Sequence, residues 1–400
     1  MQQRLPAVFM RGGTSRAIFF RDTDLPSDRE LRDRIFLAAL GSPDPYGRQL
    51  NGLGGGISST SKIAIIGSPS QPGDDVDYTF AQVDVSRAIV DYRGNCGNIS
   101  SAVGPYAIDE GLVARVGEPT TTVSYLNTNT RKRIVARVPV EDGQAAVEGD
   151  FALDGVAGTG ARIRLEFQDP GGAVTGRLLP TGQTQDVLDV PGQGSYRVSL
   201  VDATNPMVFV PAAELGLTGL ESPSAIDADA DLMRRLERIR ASAAVRMGMA
   251  SDEREATLRS PAVPKIALVA TAREYDDISG RHVAADGIDV MVRVISMGKA
   301  HRAVALTAAM CLAVAAHVSG TVVADATRPL EVGQDVRIGH PSGVLPIAAN
   351  VEHGPNGYRA VETVVYRTAR RLMEGWVRVP RIEALPRVEE FDPTTAIAAD

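Results

Sequence analysis

The sequence predicts a mixed α/β protein rich in antiparallel strands and divided into two domains. Short, β-branched segments at 78–85, 87–92, 121–126 and 134–140 are punctuated by Gly, Pro or Asp, which is how strands closed by turns read. Two apolar runs, one after Gly97 and one over 299–318 after Gly298, read as core helices. In the second, Ala303, Leu306, Ala309, Met310, Ala313 and Val314 recur at helical spacing with alanines between them, so a helix apolar on nearly every side is expected to be buried. The chain's 400 residues exceed the roughly 250–300 at which a single core stops growing, so two domains are expected. The turn Pro191-Gly192-Gln193-Gly194 suggests a division into 1–193 and 194–383, with 384–400 as a flexible tail. A charged stretch at 231–246 carries Leu232, Leu236, Ile239 and Ala243 on one face, as an amphipathic surface helix does.

Composition narrows the function classes. A net charge of −7 disfavours a general nucleic-acid or anionic-membrane role, both of which need a basic surface. The one short basic cluster, Arg131-Lys132-Arg133, reads as a solvated turn. The N-terminus lacks the apolar core of a signal peptide, and the longest apolar stretch, 303–316, is shorter than the ~20 residues of a membrane span. Two cysteines far apart make no disulfide framework, so a reducing cytoplasm is the expected compartment. His282, His301, His317, His340 and His353 show no zinc-ligand spacing, and neither cysteine has a near partner; the expectation is no metal and no cofactor. The sequence is compatible with a homo-oligomer.

Chemistry concentrates in two segments. Gly94-Asn95-Cys96-Gly97-Asn98 places a cysteine where a loop turns into a helix, and there unpaired amide groups and the helix dipole favour a thiolate. The loop 51–62 combines a glycine cluster with four hydroxyl residues and ends in Lys62, which is followed by the apolar run Ile63-Ala64-Ile65-Ile66. A phosphate-binding P-loop would need Gly-Lys-Ser/Thr opening a helix, so this lysine enters a strand instead and is expected to be partly desolvated, with a pKa lowered toward that of a usable base. Cys311, inside the apolar helix, is read as an inert core thiol.

Arg11-Gly12-Gly13-Thr14-Ser15, Gly41-Ser42-Pro43-Asp44-Pro45-Tyr46, Ser59-Thr60-Ser61-Lys62, Asp75-Val76-Asp77-Tyr78, the Cys96 pentapeptide, Ser296-Met297-Gly298-Lys299-Ala300-His301 and Gly339-His340-Pro341-Ser342-Gly343 together resemble the PrpF family. That family includes 2-methylaconitate cis-trans isomerase and, more distantly, 4-oxalomesaconate tautomerase and methylitaconate delta-isomerase. The resemblance implies a duplicated diaminopimelate-epimerase-like fold, two similar halves each wrapping a β-barrel-like sheet around a central helix. It implies a cofactor-independent isomerase that moves a proton at the allylic position of a small unsaturated tricarboxylate, with 2-methylaconitate favoured and an oxalomesaconate or other aconitate-type substrate as the alternative. Lys62 and Cys96 are then the catalytic pair. Arg11, Thr14, Ser15, Ser59, Gly97, Asn98, Asn205, Met297, Lys299, His301, Ser342 and Gly343 are the candidate substrate contacts, with His301 in the first turn of the second core helix and His340 orienting the 341–343 turn. Two other readings compete: a thiol nucleophile in which Cys96 is activated by His301 or His340, and a carboxylate-binding protein without catalysis.

Overall fold

The computed structural model describes residues 2–92, 94–331, 334–355 and 357–381, and the tail expected at 384–400 lies outside them. The chain forms two compact units, one from the described residues of Met1–Leu165 and Tyr366–Asp400, the other from Glu166–Val365.

In the first unit, strands Gln3–Gly12 and Ser15–Arg21 form an antiparallel hairpin. Ser15–Arg21 then runs parallel to Lys62–Gly67, which is antiparallel to Val76–Val83. Val76–Val83 is parallel to Thr120–Asn127, and that strand is antiparallel to Lys132–Glu141. On the other side, Ala369–Val379 pairs antiparallel with Gln3–Gly12. The Lys62–Gly67 strand is buried along nearly its whole length, which explains its unbroken apolar run where a one-sided strand would alternate.

Helix Gly97–Asp109 is buried from Gly97 to Ile108. It packs on Gln3–Gly12 and Ala369–Val379 from one end of this strand order and on Lys132–Glu141 from the other, so the sheet curls around it. Phe19 and Tyr106 meet with ring centroids 5.2 Å apart. A Cβ on Gly104 would stand 2.8 Å from Val138 Cγ2 and 3.1 Å from Ala136 Cβ, so its absence sets how closely helix and sheet approach. Helix Arg29–Leu40, capped by Asp28 through a 2.9 Å bond from Leu31 N, covers another face of the sheet.

The second unit repeats this order. Gly194–Ala203 and Asn205–Pro211 are antiparallel, Asn205–Pro211 and Lys265–Thr271 parallel, and Lys265–Thr271 and Val290–Ser296 antiparallel. Val290–Ser296 and Val336–His340 are parallel, and Val336–His340 and Gly343–Gly354 antiparallel. Helix Ala230–Arg246 falls in the first crossover, as Arg29–Leu40 does in the first unit, and the apolar helix Leu306–Ala316 falls in the second, as Gly97–Asp109 does. The duplication expected from the family is therefore written in strand pairing, although the two halves share no visible residue identity.

Four expectations shift. The junction expected at 193/194 is the turn of a hairpin between Asp186–Val190 and Gly194–Ala203, inside the second unit, whose ladder hydrogen bonds tie the two sides together. The Ala369–Val379 strand returns to the first unit, occupying beside Gln3–Gly12 the place that Asp186–Val190 holds beside Gly194–Ala203. The second core helix starts at Leu306 instead of 299, because Lys299–Ala300 folds back on Ile295–Ser296. The two residues between them, Met297 at φ 55° and Gly298 at φ 68°, are both left-handed, the geometry of a tight type I′ hairpin turn. At 87–92 only Val90–Asp91 joins the sheet, since Asp84 Oδ1 draws in the backbone N–H groups of Ser86 and Arg87 at 2.9 and 3.0 Å and closes a turn there.

The Gly104 contact generates a stability prediction. Gly104→Leu should destabilise the fold by about 1–3 kcal/mol, the usual cost of overpacking a filled core. Urea denaturation followed by circular dichroism reads this as a lower midpoint, and an unchanged midpoint would show that helix and sheet are not held at this distance.

Candidate active site

Lys62 opens its strand and is only 7% exposed. Its cross-strand partner is Gln82, whose Oε1 accepts a short hydrogen bond from Lys62 Nζ. The Gln82 amide is itself fixed, because Nε2 donates to Ser61 O at 2.9 Å and Ser58 O at 3.1 Å. The lysine therefore faces a neutral acceptor, with the Phe80 ring 5.3 Å from Nζ. Burial pushes the Lys62 pKa below its ordinary value, and a charge on Cys96 acts in the opposite direction. The two residues of the proposed pair are thus electrostatically coupled within one unit. The glycine-rich loop before Lys62 is braced by the buried Gln49, whose Oε1 accepts from Gly56 N at 2.9 Å and from Ser61 Oγ at 2.7 Å. Ser59 lies half-buried in the 3₁₀ turn Ser58–Thr60.

Cys96 is the N-cap of the central helix and is half-buried. Its carbonyl accepts from Ser100 N at 3.0 Å and Ser100 Oγ at 3.1 Å, leaving the side chain at the helix end where the dipole favours an anion. The buried Tyr78 hydroxyl is held protonated, first by desolvation and then by the Cys96 charge. In the second unit, the equivalent strand also opens with a lysine, Lys265, whose Nζ donates to Ala262 O at 2.9 Å, but the equivalent N-cap is Ala305. Only the first unit joins an amine to a thiol at these positions.

Beside Cys96, Asn98 is 7% exposed and its Nδ2 donates to Thr14 Oγ1 at 3.0 Å. Its Oδ1 accepts from Arg367 Nε at 3.1 Å. Gly97 is the first residue of the helix and is buried, and Ser15 is buried at the start of its strand. Arg11 Nη1 donates to Gly13 O, Thr368 O and Thr368 Oγ1 at 2.9–3.0 Å, and burial followed by the charge of Arg370 lowers its pKa.

In the second unit the remaining candidates gather near the start of helix Leu306–Ala316. Asn205 is 1% exposed, and both polar atoms of its side chain are buried without a partner, a pair of open hydrogen-bonding positions. Its neighbour Thr204 donates from Oγ1 to Thr307 O at 2.9 Å. Met297 and exposed Lys299 lie on the hairpin turn that leads to His301. His301 is in the loop before the helix instead of its first turn, and its Nδ1 accepts from Ala303 N at 3.1 Å. Ser342 Oγ donates to Arg302 O at 2.6 Å, joining the 341–343 turn to that loop. His340 orients this turn, as expected, accepting from Ser342 N at 3.2 Å on Nδ1, while Gly343 O accepts from Tyr275 OH at 2.6 Å. Cys311 is fully buried, and burial pushes its pKa far up, which leaves an inert core thiol.

The fold is a duplicated one, each unit a sheet curled around a central helix, with a thiol at one helix N-terminus and a desolvated amine in the same unit. Residues 2–380 match the PrpF protein family, and the chain belongs to it and is an isomerase. It is 48% identical over 381 residues to the 3-methylitaconate isomerase of Eubacterium barkeri, covering 95% of this chain and 98% of that protein. It is 41% identical over 390 residues to a 2-methyl-aconitate isomerase of Shewanella oneidensis, covering 95% and 98%. The methylitaconate branch, expected to be the more distant, is the nearer of these two. A crystal structure of methylitaconate-delta-isomerase superposes with a TM-score of 0.79 at 47% identity, over 95% of this chain and 96% of that one. A hydroxyproline epimerase from Agrobacterium vitis shares the fold at TM-score 0.53 and 11% identity, over 94% of both chains.

Gln82 and Arg367 escaped the sequence reading. Gln82 would have been found only by knowing the register that sets it opposite Lys62, and Arg367 lies 269 residues from Asn98 with no motif around it. Two predictions follow from the geometry. Cys96→Ala should lower turnover by at least ~100-fold while Cys311→Ala leaves it nearly intact, since only the first thiol is placed to move a proton; equal losses in folded proteins, measured by steady-state kinetics, would contradict this. Gln82→Glu replaces a neutral acceptor with an anion, which favours the ammonium form of Lys62 and raises its pKa, so the limb of the pH–rate profile that Lys62 governs, acidic if it acts as base and basic if it acts as acid, should move to higher pH. An unmoved limb would show that Lys62 does not govern it.

Proposed function

We propose that the protein moves a proton at the allylic carbon of a small unsaturated tricarboxylate, with 2-methylaconitate as substrate and cis-trans interconversion as outcome. A base removes a proton from the carbon next to the double bond, and the C–H electron pair delocalises through that bond into a conjugated carboxylate. The resulting dienolate has lost double-bond order and rotates. Return of the proton to the same carbon gives the cis-trans isomer. Return to the far end of the system gives a shifted double bond. The sum is redox-neutral and needs one acid–base pair together with donors for the dienolate. The observation that carries the reading is the buried Lys62 amine, facing a neutral amide and coupled to Cys96. One of the pair takes the proton and the other returns it, while Thr14 and Asn98 supply contacts to the substrate.

A second reading is a double-bond shift on a methylitaconate-type substrate, supported by the 48% identity to 3-methylitaconate isomerase against 41% to the 2-methyl-aconitate isomerase. Both share the first proton abstraction. A covalent thiol mechanism is less well supported, because the ionisable groups on which the Cys96 charge acts in its own unit are the Lys62 amine and the Tyr78 hydroxyl and not a histidine.

Incubation with 2-methylaconitate and with methylitaconate in D₂O, followed by proton NMR, tests the reading. The expected result is deuterium entering the allylic position together with isomerisation of one of the two. Lys62→Ala should depress saturated turnover and exchange together, because a group acting in the chemical step lowers kcat and not merely affinity. Binding of both compounds with neither exchange nor isomerisation would favour the non-catalytic alternative, and a folded Lys62→Ala enzyme with near-normal kcat would remove Lys62 from the chemistry.

A further inference from the structure

Arg367 is 4% exposed and carries a cation into the first unit's interior beside the Cys96 helix. A guanidinium has five N–H donors, and two of them are used here: Nε donates to Asn98 Oδ1 at 3.1 Å and Nη1 to Tyr366 O at 2.8 Å. The other three have no acceptor among the described residues, and no carboxylate there pairs with it. Other arginines of the same unit look different: Arg371 pairs with Glu110, and Arg21 pairs with Glu110 as well. Burial lowers the Arg367 pKa to about 10, which still leaves it cationic at neutral pH. A buried cation without a counter-charge is costly, and the cost is relieved when an anion arrives to share it.

The surroundings are built for that residue. A Cβ on Gly13 would lie 3.1 Å from Arg367 Cδ and 2.3 Å from Asn98 Oδ1, so the glycine turn lets the arginine stem and the amide pack against the backbone. Asn98 in turn holds Thr14 Oγ1, joining the hairpin turn, the helix N-terminus and Arg367 in one polar chain two residues from Cys96. An arginine fork matches a carboxylate with two parallel hydrogen bonds, which fixes orientation as well as charge.

We propose that Arg367 is a substrate-binding residue whose guanidinium takes one carboxylate of the ligand beside Thr14 and Asn98. This rests on the polycarboxylate reading of the site and deepens it by naming the group that neutralises one of the charges. Among the described residues, nothing takes the remaining Arg367 donors, which leaves them open to a ligand.

Calorimetric binding tests this without turnover, using tricarballylate and two ligands each lacking one of its carboxylates, glutarate without the central one and methylsuccinate without a terminal one. Arg367→Gln should weaken tricarballylate at least ~10-fold, the effect of losing a charge-assisted pair, and leave unchanged the truncated ligand that lacks the carboxylate Arg367 holds. Equal weakening of all three ligands, or no weakening of tricarballylate, in protein with an unchanged melting temperature would overturn the proposal. If Arg367→Gln does not fold, Arg367→Lys is measured on the same three ligands: the same selective loss is expected, and a uniform loss or none overturns the proposal. Tricarballylate binding by a wild-type enzyme that isomerises neither 2-methylaconitate nor methylitaconate would count against the reaction and leave the carboxylate contact standing.

Discussion

The burial of one amine organises the first unit. Lys62 enters the sheet as the first residue of a strand covered on both sides, and among the described residues no carboxylate pairs with it; its hydrogen-bond acceptor is the Gln82 amide. An aspartate or glutamate in that position would hold the ammonium form and waste the burial. A neutral amide leaves desolvation in charge of the pKa, and a charge on Cys96 opposes it. The Gln49 brace of the glycine loop and the Ser58 and Ser61 carbonyls that lock Gln82 serve the same end, holding the lysine in its buried place.

Duplication explains how such a site arises without new architecture. Each unit places a strand, a covering helix, a hairpin and a central helix in the same order, so each presents the start of a helix beside a tight turn. The two copies then diverge in chemistry. One keeps Cys96 as N-cap and fills its helix start with Asn98, Ser100 and Ser101, while the other has Ala305 and a nearly uniform apolar helix. The second copy retains polar groups on its turns, of which Asn205, buried with both side-chain atoms open, is the clearest.

Much of this was legible in the sequence where the signal was local. The glycines around Cys96 announce a loop-to-helix junction, and the apolar run behind Lys62 announces a buried strand; both are found where expected. The start of the second core helix was misread because Lys299-Ala300-His301 precedes an alanine-rich run and shares its composition, whereas Met297 and Gly298 turn the chain back on itself first. Unit boundaries were missed for a related reason: the 191–194 turn looks like a linker, and only strand pairing shows that it closes a hairpin. Gln82 and Arg367 depend on register and on contacts across the whole chain, which composition and spacing do not carry.

The central claim is that desolvation, opposed by the Cys96 charge, sets the protonation of Lys62. Titration of the Lys62 amine by NMR, in wild type and in Cys96→Ala with selective ¹⁵N labelling of lysine, measures it directly. The account predicts an apparent pKa below the ordinary 10.5 in the wild type and a further fall in Cys96→Ala, since removing the thiolate removes what favours the ammonium form. A Lys62 that titrates at its ordinary value and does not respond to the loss of Cys96 would contradict it.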